Sequence, residues 1–290
     1  MMFRRGRKFA GITAALAVLL LFPPMALAES GRFDGLRKRL AEAGFNAGDV
    51  EKLFASPEVR FDLSSATGYF KHNEYKLDYG QFSNPESIAK ARAYLEAHRQ
   101  DLENAHKAFG VDPATVVAVL LVETRLGTFV GKRPIFSTLA TLASLSEAAN
   151  AEALYQEAKK EGATRKEVDA WIGKRSGWAF GQLTALLKFA REHGHDPAAL
   201  PGSYAGAMGF CQFMPDSALA YAADGNGDGR IDLFTHPDAI HSVARYLARH
   251  GWKKGLDEDG MRKVLLTYNR SNPYVDALLA IRRALNREEK

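Results

Sequence analysis

The run Val116-Val117-Ala118-Val119-Leu120-Leu121-Val122 has no polar stripe on any face. Asp112-Pro113 in front of it reads as N-cap and first helical residue, and Gly127 behind it as the stop. A helix that is apolar on nearly every face is stable only when other elements enclose it, so the chain is expected to fold around this segment. Glu123 closes the run. Burial disfavours the charged carboxylate and the negative end of the helix dipole disfavours it again, so both push the pKa of Glu123 upward, which is how a general acid is made. The alternative is a helix end that emerges into water, where Glu123 and Arg125 are ordinary surface charges. This stretch alone leaves both readings open.

The amino terminus reads as an export signal. Arg4, Arg5, Arg7 and Lys8 precede an apolar segment over residues 12–22, and Ala26-Leu27-Ala28 supplies a small-x-small cleavage site. The apolar segment is short of the roughly 20 residues that span a bilayer, and Pro23-Pro24 interrupts it, so cleavage after Ala28 is expected rather than a lasting membrane anchor. No cysteine lies near that site for lipid attachment, which makes a soluble periplasmic protein the expectation. Residues 1–28 carry four of the positive charges, so the formal +5 of the whole chain falls to +1 in the remainder. No strongly basic surface follows from that balance, and nucleic acid is not an expected partner. The one cysteine, Cys211, forms no intrachain disulfide, so stability must come from a core.

Helical spacing dominates the chain. Leu36, Leu40, Val50, Leu53 and Phe54 suit helices in the first part, and a polar aromatic stretch over residues 69–82 follows. Residues 85–109 read as one amphipathic helix through Ile88, Ala91, Tyr94, Leu95, Leu102 and Ala105, packing on the Glu123 helix. A short helical signal covers Phe136 to Leu142, and a charged, weakly apolar helical segment at 147–174 reads as a peripheral insertion. Residues 178–191 are amphipathic through Leu183, Leu186, Leu187 and Phe189. His193 and His195 sit in a turn-rich segment with no third ligand at a fixed spacing and are expected at the surface. The glycine strip Gly202-Ser203-Tyr204-Ala205-Gly206-Ala207-Met208-Gly209 either lines a groove where main chain meets a ligand or lets two helices pack tightly; Gln212 just after it needs partners if buried.

Asp224-Gly225-Asn226-Gly227-Asp228-Gly229-Arg230-Ile231-Asp232 matches the first nine positions of an EF-hand loop: oxygen ligands at one, three and five, the turn glycine at six and an apolar residue at eight. Position twelve is Thr235 instead of a bidentate Glu, and Asp238 is the nearest acid able to close the site. A metal-free Asx-rich turn is the competing reading. Further on, residues 238–250 form a helix through Ile240, Val243, Ala244 and Leu247, and a last helical region holds Leu265 and Leu266. Tyr268-Asn269 offers a stacking ring and an amide suited to an N-acetyl sugar, or simply a helix end.

Val122-Glu123-Thr124-Arg125, the glycine strip, Gln212-Phe213-Met214-Pro215, the acidic loop and Tyr268-Asn269, in that order, together resemble the membrane-bound lytic murein transglycosylase B family. The resemblance implies a mainly α fold: a lysozyme-like core over residues 111–290, helical flanking regions including residues 29–110, a small β insertion and one EF-hand-like calcium loop at 224–238. It implies cleavage of peptidoglycan glycan strands in the periplasm, with Glu123 as the single catalytic acid and base. Ser203, Gln212, Tyr268 and Asn269 then touch the sugars, with Lys174, Arg175 and Trp178 as further basic and aromatic contacts. Asp224, Asn226, Asp228, Arg230 through its carbonyl, and Asp238 become ligands of a structural Ca2+, with no organic cofactor. The implied partners are glycan strands and wall-synthesis proteins, and the implied state is a monomer.

Glycosidases usually pair two carboxylates, about 5–5.5 Å apart when the second is a nucleophile. No second acid stands out beside Glu123, so one carboxyl is expected to act twice and close a 1,6-anhydro ring without water. The rivals are a hydrolytic muramidase using the same groove and a peptidoglycan-binding scaffold without catalysis. A calcium sensor is disfavoured, because a single loop lacks the paired architecture of sensors.

Overall fold

The computed structural model describes residues 31–71 and 78–287. The expected export signal therefore lies outside the described residues. Thirteen α-helices are present among them, joined to a single two-stranded sheet. In chain order the helices are α1 (Asp34–Glu42), α2 (Ala47–Phe54), α3 (Leu63–Lys71), α4 (Pro85–Ala97), α5 (Arg99–Phe109), α6 (Pro113–Thr124) and α7 (Ile135–Ser144). They continue as α8 (Ala148–Lys159), α9 (Arg165–His193), α10 (Pro215–Tyr221), α11 (His236–Arg249), α12 (Glu258–Tyr268) and α13 (Asn272–Leu285). The sheet pairs β1 (Arg133–Pro134) with β2 (Pro201–Gly202), antiparallel, Arg133 opposite Gly202. Among the described residues no single helix is long and apolar enough to cross a membrane.

Two helices form the centre. Asp112 caps α6 by accepting the Thr115 N–H, Pro113 opens it, and from Ala114 to Thr124 every residue except Glu123 is buried. All ten residues of α7 are buried as well. Helices α4, α11 and α13 pack around α6, and the 29-residue α9 lies along α7. Burying side chains such as Leu120 and Leu139, both fully enclosed, gives about 1.5–3 kcal/mol each, and trimming either to alanine costs about 2–5 kcal/mol.

Several local expectations change. Residues 85–109 form two helices, not one, because His98 leaves helical geometry at φ −113°, ψ 25°. Its ring packs at a tilt against Tyr94 and His236, each 4.3 Å away between centroids, so a tertiary contact accompanies the break. The 147–174 segment is more than a surface addition: Leu154, Ala158, Val168 and Ile172 join the same core, and Asn150 is buried with hydrogen bonds to the Arg32 and Ser144 carbonyls. A further helix, α13, follows Tyr268-Asn269, opened by Ser271 as N-cap and Pro273 in its first turn.

Candidate active site

Glu123 is half-buried in the last turn of α6, where Val122 and Thr124 on either side are buried. Helix α6 ends there through three consecutive left-handed residues, Arg125 (φ 51°), Leu126 (φ 62°) and Gly127 (φ 87°). Arg125 and Leu126 donate their N–H groups to Leu121 and Leu120, which satisfies the last carbonyls and turns the chain sharply. Left-handed backbone at two non-glycine residues costs energy, and its place directly after Glu123 marks a site the fold is built to hold.

Tyr274 on α13 donates its hydroxyl to Oε1 of Glu123 at 2.6 Å. Its ring is buried and meets Tyr79 edge-on at 5.7 Å. Burial first, and then the charge of Glu123, push the Tyr274 phenol well above its ordinary pKa, so it remains a donor. Tyr268, at the end of α12, donates to the Cys211 carbonyl at 2.6 Å. Its phenol and the fully buried Cys211 thiol, the latter pushed up to about 12, are raised mainly by burial, with Glu123 adding its charge to both. Glu123, Tyr268, Tyr274 and Cys211 are thus one electrostatic neighbourhood.

The glycines of the strip serve close packing. A Cβ at Gly202 would come within 2.1 Å of the Ala207 carbonyl, and one at Gly209, where φ is +74°, within 2.4 Å of the Leu233 Cβ. The glycines pack, and the polar residues between them stay accessible. Ser203 is half-buried, its Oγ accepting the N–H groups of Ala205 and Ala207, which leaves its own hydrogen to donate. Gln212, also half-buried, adopts φ +48° and donates Nε2 to the Gly209 carbonyl at 2.9 Å and the Val130 carbonyl at 3.4 Å. The loop after Glu123 abuts the strip, since a Cβ on Gly131 would lie 2.1 Å from the Gly202 oxygen. Thr124 ties the two together by donating to the Phe210 carbonyl at 2.8 Å. Asn269 ends α12 with extended backbone beside Tyr268.

Arg175 and Trp178 belong to a ring cluster at the Tyr204 side of the strip. The Arg175 guanidinium lies 5.0 Å from the Tyr69 ring and 5.6 Å from the Trp178 ring, and Tyr69 reaches Tyr204 at 6.1 Å and Trp171 at 5.7 Å. Lys174 is exposed and does not take part. Tyr69, Trp171, Tyr204 and Tyr274 were not singled out from sequence. The capped apolar pattern of residues 271–285 could have indicated α13 and with it the position of Tyr274; the aromatic cluster has no comparable local signal.

The acidic loop folds around its own side chains. Asp224 accepts the N–H groups of Gly227 and Gly229, Asp228 accepts that of Arg230, and Asn226 accepts that of Asp228. Asp238, at 1% exposure, accepts the N–H groups of Gly225 and Asp232. Burial, and then the charges of Asp224 and Asp228, raise its pKa. As placed, no three Asp, Glu, His or Cys side chains among the described residues gather around one ion position. A buried carboxylate repelled by two others, with backbone N–H groups as its hydrogen-bond partners, nonetheless fits a hard cation. His193 and His195 are not free surface residues. His195 donates Nε2–H to the Ile231 carbonyl at 2.7 Å, accepts from Arg230 at 2.8 Å and stacks on Phe189, while His193 accepts the Ile231 N–H at 3.4 Å. Both fasten the middle of the loop.

Residues 29–262 match the transglycosylase SLT domain family model. The chain belongs to that family. It is 36% identical over 175 residues to membrane-bound lytic murein transglycosylase B of Escherichia coli (strain K12), covering 60% of this chain and 41% of that one. It therefore spans about two fifths of the length of that curated relative. In fold it is similar to soluble lytic transglycosylase SltB1 from Pseudomonas aeruginosa, with a TM-score of 0.71, 23% identity, and 88% and 97% of the two chains covered. It is also similar to Escherichia coli lytic transglycosylase Slt35 in complex with calcium, with a TM-score of 0.68, 24% identity, and 88% and 92% covered. These matches bear out the mainly helical, lysozyme-like fold of the lytic transglycosylases.

Proposed function

We propose that this chain is a peptidoglycan lytic transglycosylase acting in the periplasm, with Glu123 as its single acid and base. The observation that carries the reading is the Tyr274 hydroxyl bound to Oε1 of Glu123, the half-buried residue in the last turn of a buried helix, beside a strip that leaves Ser203 and Gln212 half-buried.

Tyr274 holds the carboxyl in place through Oε1, and Glu123 carries the transferable proton. Glu123 donates it to the glycosidic oxygen between N-acetylmuramic acid and N-acetylglucosamine as the bond from C1 to that oxygen breaks. The resulting carboxylate takes the proton of the muramoyl C6 hydroxyl, whose oxygen forms the new bond to C1 and closes a 1,6-anhydro ring. Glu123 ends protonated, and no water is consumed. The membership in a transglycosylase family favours this transfer over hydrolysis. Ser203, Gln212, Tyr268 and Asn269 would hold the sugars at the strip, and the Arg175-Trp178 cluster would hold the strand beyond it.

Calcium belongs to the same reading. Asp224, Asn226, Asp228, the Arg230 carbonyl and Asp238 would hold it, and the ion would supply the positive charge that the buried Asp238 lacks. Its part is structural: the loop's end joins α11, and Phe210 of the strip accepts its neighbour's support by donating N–H to the Leu233 carbonyl at 2.8 Å.

Clearing of a sacculus suspension tests the assignment of Glu123. Glu123→Gln is expected to leave the circular dichroism spectrum unchanged and to abolish clearing. Clearing at the wild-type rate would sink the assignment.

A further inference from the structure

A cavity of about 430 Å³ lies against the far side of α6. Leu121 lines it, and Glu123, two residues on, points about 200° away around the helix. Its apolar lining includes Phe82, Tyr94 and Leu126, and its polar groups include Lys90, Arg125 and His236. A volume of this size suits a small ligand or short peptide.

The charges at its rim are unbalanced. Arg125 is exposed, donates to the neutral Gln81 Oε1 at 2.7 Å and lies 5.6 Å from the Phe82 ring, but has no ion pair among the described residues. Lys90 pairs at 2.7 Å with Glu86, which is itself exposed on the same helix, so that one carboxylate faces two cations. Arg125, which shares the charge of Glu86 with Lys90 and has no ion pair of its own among the described residues, is suited to bind a carboxylate through two parallel hydrogen bonds. The floor is rigid: Tyr94 OH meets His236 Nδ1 at 2.9 Å, and the His236 ring packs on His98 and Phe210.

The geometry points to a second binding site here, for a short peptide carrying free carboxylates, its acid on Arg125 and Lys90 and an apolar side chain against Phe82, Tyr94 and Leu126. Resting on the functional reading above, that peptide is the stem borne by the muramoyl residue. Arg125, Leu126 and Thr128 line the cavity and also form the turn after Glu123, so an occupant steadies that turn.

Calorimetric titration with a tripeptide bearing two free carboxylates, its fully amidated form and inorganic phosphate tests the site. The free acid is expected to bind at least about tenfold tighter than the amide. Arg125→Gln and Lys90→Glu are expected to abolish that preference, and phosphate not to displace the peptide. Gln212 already adopts φ +48° in this chain, so glutamine is a suitable replacement at Arg125, whose φ is 51°. Arg125→Gln should also raise KM on peptide-bearing glycan strands by about 3- to 10-fold while leaving strands stripped by an amidase unaffected. Equal binding of acid and amide, displacement by phosphate, unchanged binding by the variants, or a KM change shared by both strands would overturn the site. Failure of the functional reading shows separately, as absence of anhydro ends from either strand with the wild-type enzyme, while the peptide titration stays readable.

Discussion

Tyr274 and Glu123 are 151 positions apart in sequence and 2.6 Å apart in space, the phenol donating to Oε1. This bond orients a carboxyl whose backbone is already fixed by a buried helix and a left-handed turn. It fixes which way the carboxyl plane faces.

Removing only that hydroxyl should therefore separate chemistry from binding. Tyr274→Phe keeps the ring packed on Tyr79 and loses a hydrogen bond to a charged group, worth about 1.5–3 kcal/mol. The expected result is a fall in kcat of about 10- to 100-fold with KM nearly unchanged, measured on soluble glycan strands of defined length. A KM effect of the same size with kcat intact would assign Tyr274 to substrate binding instead.

Calcium should act on stability before it acts on rate. A ligand about tenfold above its Kd stabilises by about 1.4 kcal/mol, which for a domain of this size raises Tm by about 3–6 °C. Scanning calorimetry in calcium and in chelator reads this directly. Asp238→Asn is expected to melt at one temperature in both.

Asp62 supplies a pH dependence of known sign. Its partial burial raises the carboxyl pKa, but hydrogen bonds from Ser65, Ser64 and Arg133 outweigh this and lower it from 3.8 to about 2. A depressed folded-state pKa means stability that is present above about pH 4 and lost as pH falls toward 2. Asp62 is still partly exposed, so solvent screening reduces the effect to about 1 kcal/mol, or about 2–4 °C in Tm at pH 7. Asp62→Asn should show that deficit at neutral pH and none near pH 2, by thermal melts across the range.

What was legible in the chain is what short-range chemistry decides. Asp112-Pro113 and the apolar run predicted α6, Glu123 stood out because nothing polar precedes it, and the spacing of acids in 224–238 outlined a wrapped loop. The break at His98 was not legible, because no proline or glycine makes it; a tilted contact with His236, far along the chain, accompanies it. His193 and His195 read as surface residues because their partners, Arg230 and Ile231, meet them only in the fold. Tyr274 escaped notice for the same reason, although Ser271-Asn272-Pro273 carried a helix-start signal that would have placed it on a new helix.

The most direct test of the central claim is the mass of the products released from purified sacculi, compared for wild type and Glu123→Gln. Transfer to the C6 hydroxyl gives muramoyl ends lighter by one water than hydrolytic ends, and these 1,6-anhydro products are expected from wild type alone. Ordinary reducing ends from the wild-type enzyme, or anhydro ends undiminished in Glu123→Gln, would contradict the account.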